Sequence, residues 1–320
     1  MPENLKQKIL GGGSVTRDEA RQISEISGQN IFDLFASANT IRNHFRGNRA
    51  GLCAIVNAKS GACPEDCDFC SQSAKSRAQI AVYPLLNRET ILQKAVEAKQ
   101  HGARRFSIVT SGKRLSMDAL AEIAETISAI RDAGIIPCAS LGMVNKEELL
   151  MLKTAGLDRY HHNLETSKNF FPRICSTHSY ADKEKTLHAV KAAGLSICSG
   201  GIFGMGETWQ DRIDMAFSLK DLGVDSVPLN FLIPVRGTPL EDRPLLHPLE
   251  ALKIVSLYRF VLPDKEIRVC GGRRQVLGEF NSMVFLAGAD CLLIGNYLTT
   301  TGREYDDDRA LIETYGLAAD

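Results

Sequence analysis

From Leu52 onward, short β-branched runs alternate with amphipathic helical stretches almost to the end of the chain. The strand candidates are LCAIVNA, RRFSIVTSG, IIPCASLG, RYHHNLET, SICSGGIFG, SVPLNFLIP, EIRVCGG and CLLIGN. Helices such as RETILQKAVEAKQHG, SMDALAEIAETISAIRDAG and ADKEKTLHAVKAAG lie between them, and each ends in Gly, a stop signal that leads into the next strand. Strict alternation of this kind makes the strands parallel, and eight such units close on themselves. The expected fold is therefore α/β, a (β/α)8 TIM-type barrel. A doubly wound open sheet is the alternative, but no G-x-G-x-x-G follows the first strand. Ahead of the barrel, RDEARQISEIS and NIFDLFASANTIRNHFR carry apolar residues at helical spacing, with Gly11–Gly13 as a breaker before them. We expect an N-terminal helical extension over residues 1–45 and a barrel with a C-terminal tail over 46–320.

In such barrels the working residues sit at the C-terminal ends of the strands and in the loops that follow. The loop after the first strand reads GACPEDCDFCSQS, with Cys63, Cys67 and Cys70 spaced C-x3-C-x2-C. Runs of four cysteines fill every corner of an iron–sulfur cube, whereas three leave one iron open to another molecule. A structural zinc site wants a fourth ligand close by, yet the next cysteine after the loop is Cys138 and the next histidine His101. A zinc knuckle completed from a distance is the competing reading. Phe69, just before the last cysteine, suits stacking on an adenine better than a zinc turn.

The segment MPENLKQKILGGGSV lacks the apolar core of a signal peptide, and no apolar run approaches a membrane span. A cytoplasmic location is expected. Nine cysteines there argue for metal or redox chemistry rather than disulfides. With 38 basic and 38 acidic residues, nothing points to nucleic acid or an anionic membrane. Cys138, Cys198 and Cys270 hold matching places, each near a strand end and followed by small residues, and Ser107 holds that place on the second strand. A single buried thiol is ordinarily inert, but several in matching positions suit a second cluster or a substrate. Cys53 and Cys291 are expected to be core residues toward the other end of the barrel, while Cys175 lies on the active face with its role open. Asn163 and Glu165 on the fourth strand are two apart and share a side. They either bond ribose hydroxyls or are solvated strand-end groups. Asn230 is a further polar residue in a strand, and Gly200, Gly201 and the GMGE stretch allow a backbone edge to approach a ligand.

The three-cysteine loop on a barrel resembles the radical S-adenosylmethionine (SAM) enzymes. More narrowly, NAKSGACPEDCDFCSQS, AGLDRYHHNLETS, ICSGGIFGMGET, DSVPLNFLIPVRGTPL, IRVCGGRRQ and NYLTTTG are similar to the biotin synthase family, over about Ile41 to Gly302. The resemblance implies that Cys63, Cys67 and Cys70 hold a [4Fe–4S] cluster whose open iron is chelated by SAM. It implies a 5′-deoxyadenosyl radical that removes hydrogen from dethiobiotin, with sulfur supplied by a second, auxiliary iron–sulfur cluster. It assigns Phe69, Arg105, Asn163, Glu165 and Lys183 to SAM, and Asn163 and Asn230 to the dethiobiotin ureido ring. Glu165 and Lys183 stand where well-known members have Asp and Arg. Members hold a [2Fe–2S] cluster on cysteines of strands two, three and five and an Arg after strand seven. Here Cys138, Cys198 and Arg273 match that set, Ser107 replaces the strand-two cysteine, and Cys270 stands in place of a Ser. Cys270 is therefore expected to take over the missing thiolate, with Arg273 a ligand or a hydrogen-bond donor. If Cys175 joins them, a four-iron cluster becomes the expectation. A flavodoxin- or ferredoxin-type electron donor and a homodimer are also implied. The alternatives are another radical SAM barrel enzyme with a different small substrate, and an iron–sulfur sensor or zinc scaffold without turnover.

Overall fold

A computed structural model describes residues 1–319. Its sheet comprises β1 (Arg49–Lys59), β2 (Arg105–Thr110), β3 (Ile136–Ser140), β4 (Arg159–His161), β5 (Ser196–Cys198), β6 (Gly201–Phe203), β7 (Ser226–Phe231), β8 (Glu266–Val269) and β9 (Cys291–Leu293). Neighbouring strands run parallel, and β1 pairs with both β2 and β9, so the sheet closes into a barrel. β5 and β6 are two segments of one stave, both alongside β7, which makes eight staves in all. The interruption has a steric cause. A Cβ on Gly200 would sit 2.0 Å from the Pro228 carbonyl oxygen, so only glycine lets β7 come this close.

Three helices precede the barrel: α1 (Pro2–Leu10), α2 (Arg17–Glu25) and α3 (Asn30–Arg46). The crossovers are α4 (Arg88–Gln100), α5 (Met117–Asp132), α6 (Lys146–Thr154), α7 (Tyr180–Ala192), α8 (Trp209–Leu222) and α9 (Pro248–Val261). Side chains start them: Asn87, Ser116, Asn145, Ser179 and Thr208 each accept a bond from an otherwise unpaired first-turn N–H. Gly223 ends α8 in the left-handed region at φ 70°.

The helix α9 carries no amphipathic signature in the sequence, and the packing explains why. The helices α2 and α3 cover its outer side while the barrel takes the inner one, so residues such as Leu252, Val255, Tyr258 and Phe260 are buried on all faces. After β8 come α10 (Arg273–Leu277) and, after β9, α11 (Tyr305–Thr314) and β10 (Ala318–Ala319), which pairs with the first residues of β1. Among the described residues no helix is long and apolar enough to cross a membrane.

Candidate active site

Period-two alternation on the staves sends every second side chain inward, and the inward set encloses a cavity of about 410 Å³. The floor is sulfur and guanidinium. Cys53, Cys138, Cys198 and Cys270 line it, together with Arg105, Arg159 and Arg268. Cys138 is level with Ser107 on β2 and Arg159 on β4. Arg105 Nη1 lies 3.8 Å from Cys138 Sγ, and His161 Nδ1 lies 3.2 Å from Cys198 Sγ. Burial pushes the Cys138 and Cys270 thiols up. Burial acts on Cys198 too, but His161 and Arg268 outweigh it and hold that thiol down to about 6. Arg268 is anchored by Glu266, 2.5 Å away, which also takes Arg159 at 2.7 Å. None of the nine cysteines is in a disulfide.

The mouth is built by the loop after β1. Ala62, at φ 49°, turns the chain into Cys63, whose N–H donates to the Gln72 carbonyl at 3.1 Å. Cys70 N–H donates back to the Cys67 carbonyl at 2.9 Å, which closes a tight turn within the loop. Cys67, Phe69 and Cys70 line the cavity. Cys70 is pushed up to about 11 by burial and further by the charge of Cys63, and Cys70 in turn acts on Cys67. The Gln72 carboxamide oxygen accepts from Asn57 Nδ2 at 3.1 Å and from Gly61 N–H at 3.3 Å, which ties the loop to β1.

Between mouth and floor stand the amides and carboxylate. Asn163 Nδ2 donates to Glu165 at 3.2 Å, and Asn163 Oδ1 accepts the Gly200 N–H at 3.1 Å. Glu165 has φ 72°, a conformation that costs a non-glycine residue of order 1–3 kcal/mol. Its backbone holds it there, donating to Gly200 O at 3.1 Å and accepting from Ile202 at 2.9 Å. Asn230 is fixed from both ends: Nδ2 donates to Gly201 O at 3.2 Å and Oδ1 accepts from Gly271 N–H at 3.0 Å.

Several expected placements are corrected by the structure. Arg273 is fully buried, but away from the cavity: its guanidinium bonds Asp308 at 2.6 and 2.8 Å and Asn281 at 2.9 Å. The arginines that face the sulfurs are Arg105, Arg159 and Arg268. Cys175 does not reach the floor; it lies at the rim, 3.8 Å from Cys67 Sγ. Arg105, expected near the nucleotide, is the first residue of β2 and therefore belongs to the floor beside Cys138. Lys183, by contrast, stays by the rim: it is buried on α7 with Nζ 5.8 Å from the Phe171 ring centroid, and its charge acts on Cys67 and His178. Cys53, read as core, lines the floor, while Cys291 sits behind it in the same buried cluster as Cys270. Alternation already held the missed signals, since Arg268 shares a side with Cys270, and Arg159 and His161 share one with Asn163.

The donor set fits the groups that the sequence implies. Three thiols on one rim loop, with Cys63 acting on Cys70 and Cys70 on Cys67, suit a cluster with an open iron. On the floor, buried Ser107 Oγ and Arg268 Nε have no hydrogen-bond partner, an unsatisfied polarity that an anionic cluster would meet.

A closed parallel barrel with a three-cysteine loop at its mouth defines the radical SAM class. The sequence profile of the Radical SAM superfamily matches residues 58–219, and that of the Biotin and Thiamin Synthesis associated domain (BATS) matches residues 228–318. The chain belongs to the biotin synthase family. It is 53% identical over 298 residues to the biotin synthase of Thermodesulfovibrio yellowstonii, covering 93% of this chain and 94% of that protein. It is 46% identical over 319 residues to that of Pelotomaculum thermopropionicum, covering 99% of each. Among solved structures, methylornithine synthase (PylB) superposes with a TM-score of 0.85 at 20% identity, over 99% of this chain and 97% of that one. The [FeFe]-hydrogenase maturase HydG does so with a TM-score of 0.85 at 16% identity, over 100% and 75%. These two share the fold.

Proposed function

We propose that this chain converts dethiobiotin to biotin by radical sulfur insertion, with the sulfur drawn from an auxiliary iron–sulfur cluster on the barrel floor. One observation carries the reading: a single cavity has cysteines of the rim loop at its mouth and Cys53, Cys138, Cys198 and Cys270 at its floor.

Cys63, Cys67 and Cys70 would hold a [4Fe–4S] cluster, three thiolates leaving one iron for SAM. When bound, that pair supplies the one-electron chemistry that breaks unactivated C–H bonds. Phe69 offers its ring to the adenine. Asn163 and Glu165 share a side and offer their remaining polar atoms to the ribose. Asn230, its amide locked between two staves, borders the ureido ring together with Asn163, and a locked amide loses little freedom when substrate arrives. The four floor thiols are enough for either a two-iron or a four-iron auxiliary cluster, with Arg268 facing them and Ser107 beside Cys138. Buried walls keep water from the reacting centre. The electron comes from a reduced flavodoxin- or ferredoxin-type protein, and residues 1–45 act as a helical brace on the barrel of 46–320.

The test is product analysis under strictly anaerobic, reducing conditions. Biotin, 5′-deoxyadenosine and methionine are expected together. Deoxyadenosine formed with no response to dethiobiotin would assign the chain to a different radical SAM reaction.

A further inference from the structure

Cys175 and His178 do not line the cavity, yet they converge on one of its rim cysteines. Cys175 Sγ lies 3.8 Å from Cys67 Sγ and 3.3 and 3.7 Å from His178 Nδ1 and Nε2, and one donor atom from each of the three residues falls within 4.8 Å of the others. A tetrahedral ion with metal–sulfur bonds of about 2.3 Å and metal–nitrogen bonds of about 2.0 Å would set S···S at about 3.8 Å and S···N at about 3.5 Å. The spacing between Cys175 and its two partners already has that form.

The surroundings are those of a built site. His178 Nδ1 is 2.5 Å from Glu65 Oε2, a carboxylate that is itself largely buried and takes Thr177 Oγ1 at 2.8 Å. A carboxylate on Nδ1 fixes the tautomer that leaves Nε2 free to ligate, the arrangement by which metal-bound histidines are oriented. The two loops are joined without any metal. Asp66 accepts from the Ser176 and Thr177 N–H groups at 2.9 and 3.1 Å, and Asp68 N–H donates to Ile174 O at 2.9 Å. The donors are thus held in place in advance.

We propose that, in the chain without its rim cluster, Cys67, Cys175 and His178 hold a single thiophilic divalent ion, zinc or iron(II). Two thiolates and an imidazole are the donor set such ions favour. Cys67 cannot serve this site and the rim cluster together, so the site belongs to the cluster-free protein and competes with cluster assembly. This inference stands apart from the proposed reaction, because it concerns metal binding rather than turnover.

The experiment uses the full-length chain, stripped anaerobically of iron and sulfide and titrated with cobalt(II). Wild type should take up one equivalent with tetrahedral ligand-field bands that Cys175→Ser and His178→Ala lack. Glu65→Gln should bind that equivalent about 10–100-fold more weakly, and Cys63→Ala should keep it. Competition with zinc or with iron(II) then identifies the ion, by whichever displaces the cobalt. The proposal is overturned if Cys175→Ser binds cobalt as wild type does, if Cys63→Ala alone loses it, or if neither ion displaces it. Should Cys175→Ser fail to fold, mass spectrometry of wild type decides: cobalt should slow alkylation of Cys175, and an unchanged rate overturns the proposal.

Discussion

Nδ1 of His161 lies 3.2 Å from Sγ of Cys198, across the register pair that joins β4 to β5. Burial pushes this thiol up, and His161 and Arg268 bring it down to about 6. His161→Phe removes the larger of those two opposing influences. In cluster-free protein, Cys198 should then ionise at a higher pH than in wild type. Thiolate absorbance against pH measures this, with Cys198→Ser to identify the transition. A transition that does not move would leave the arginines as its sole cause.

Arg268 and Arg273 are close in sequence and opposite in role. Removing the Arg273 side chain takes the bidentate partner from the fully buried carboxylate of Asp308 and leaves it only Arg303, 3.2 Å away, a loss of up to about 3–5 kcal/mol, the figure for a broken buried pair. Arg273→Ala should therefore unfold at a markedly lower temperature. Arg268→Met leaves Glu266 still paired with Arg159 and Ser226, so its main effect should fall on the auxiliary cluster's absorbance and Mössbauer spectrum. Equal thermal losses in the two variants would contradict this division.

The floor and the mouth should be separable by iron and sulfide counting. Cys63→Ala should abolish the rim cluster and leave the auxiliary signal in place. Cys270→Ala and Cys53→Ala should each reduce the auxiliary signal with the rim cluster intact. Cys291→Ala should retain both, because Cys291 sits behind the cavity wall. An auxiliary spectrum untouched by Cys270→Ala would make that residue a bystander.

Acid sensitivity follows from His162. The ring is buried with Nε2 unpartnered, and burial, with Lys183 and His161, lowers its pKa well below the ordinary value. Folded protein keeps it neutral while the unfolded chain protonates it near pH 6.5. Below that pH the unfolded state binds the extra proton, so stability falls as pH falls, by up to about 1.4 kcal/mol per pH unit from this group. Denaturant unfolding of wild type and His162→Gln from pH 7.5 down to about 5 tests it: the slope should be shallower in the variant. Parallel slopes would place the acid sensitivity elsewhere.

The barrel and its three-cysteine loop were legible in the sequence because alternation and spacing are local signals. The helix α9 was not, since its covering helices come from the far end of the chain and remove the polar face that periodicity needs. At the site, Cys63, Cys67, Cys70, Asn163 and Asn230 announced themselves by motif. Arg268 and Arg273 could not be told apart by proximity to Cys270. What separates them is that β8 ends at Val269, so alternation aims Arg268 inward, while Arg273 opens α10 and turns toward Asp308 on α11. Cys175 and Cys67 lie on different loops, and only the folded chain brings their sulfurs together.

The ion pairs beneath the floor have a consequence for traffic. Arg159 and Glu266 separate the cavity from a shallow depression on the opposite side of the barrel, and with Arg268 they act as a plug. Among the described residues, that end of the cavity is closed by these side chains. Under the proposed reaction, iron and sulfide returning to a cluster on the floor would pass the mouth that the product uses, after nucleotide and product have cleared it. Resupply and turnover would then alternate at that entrance.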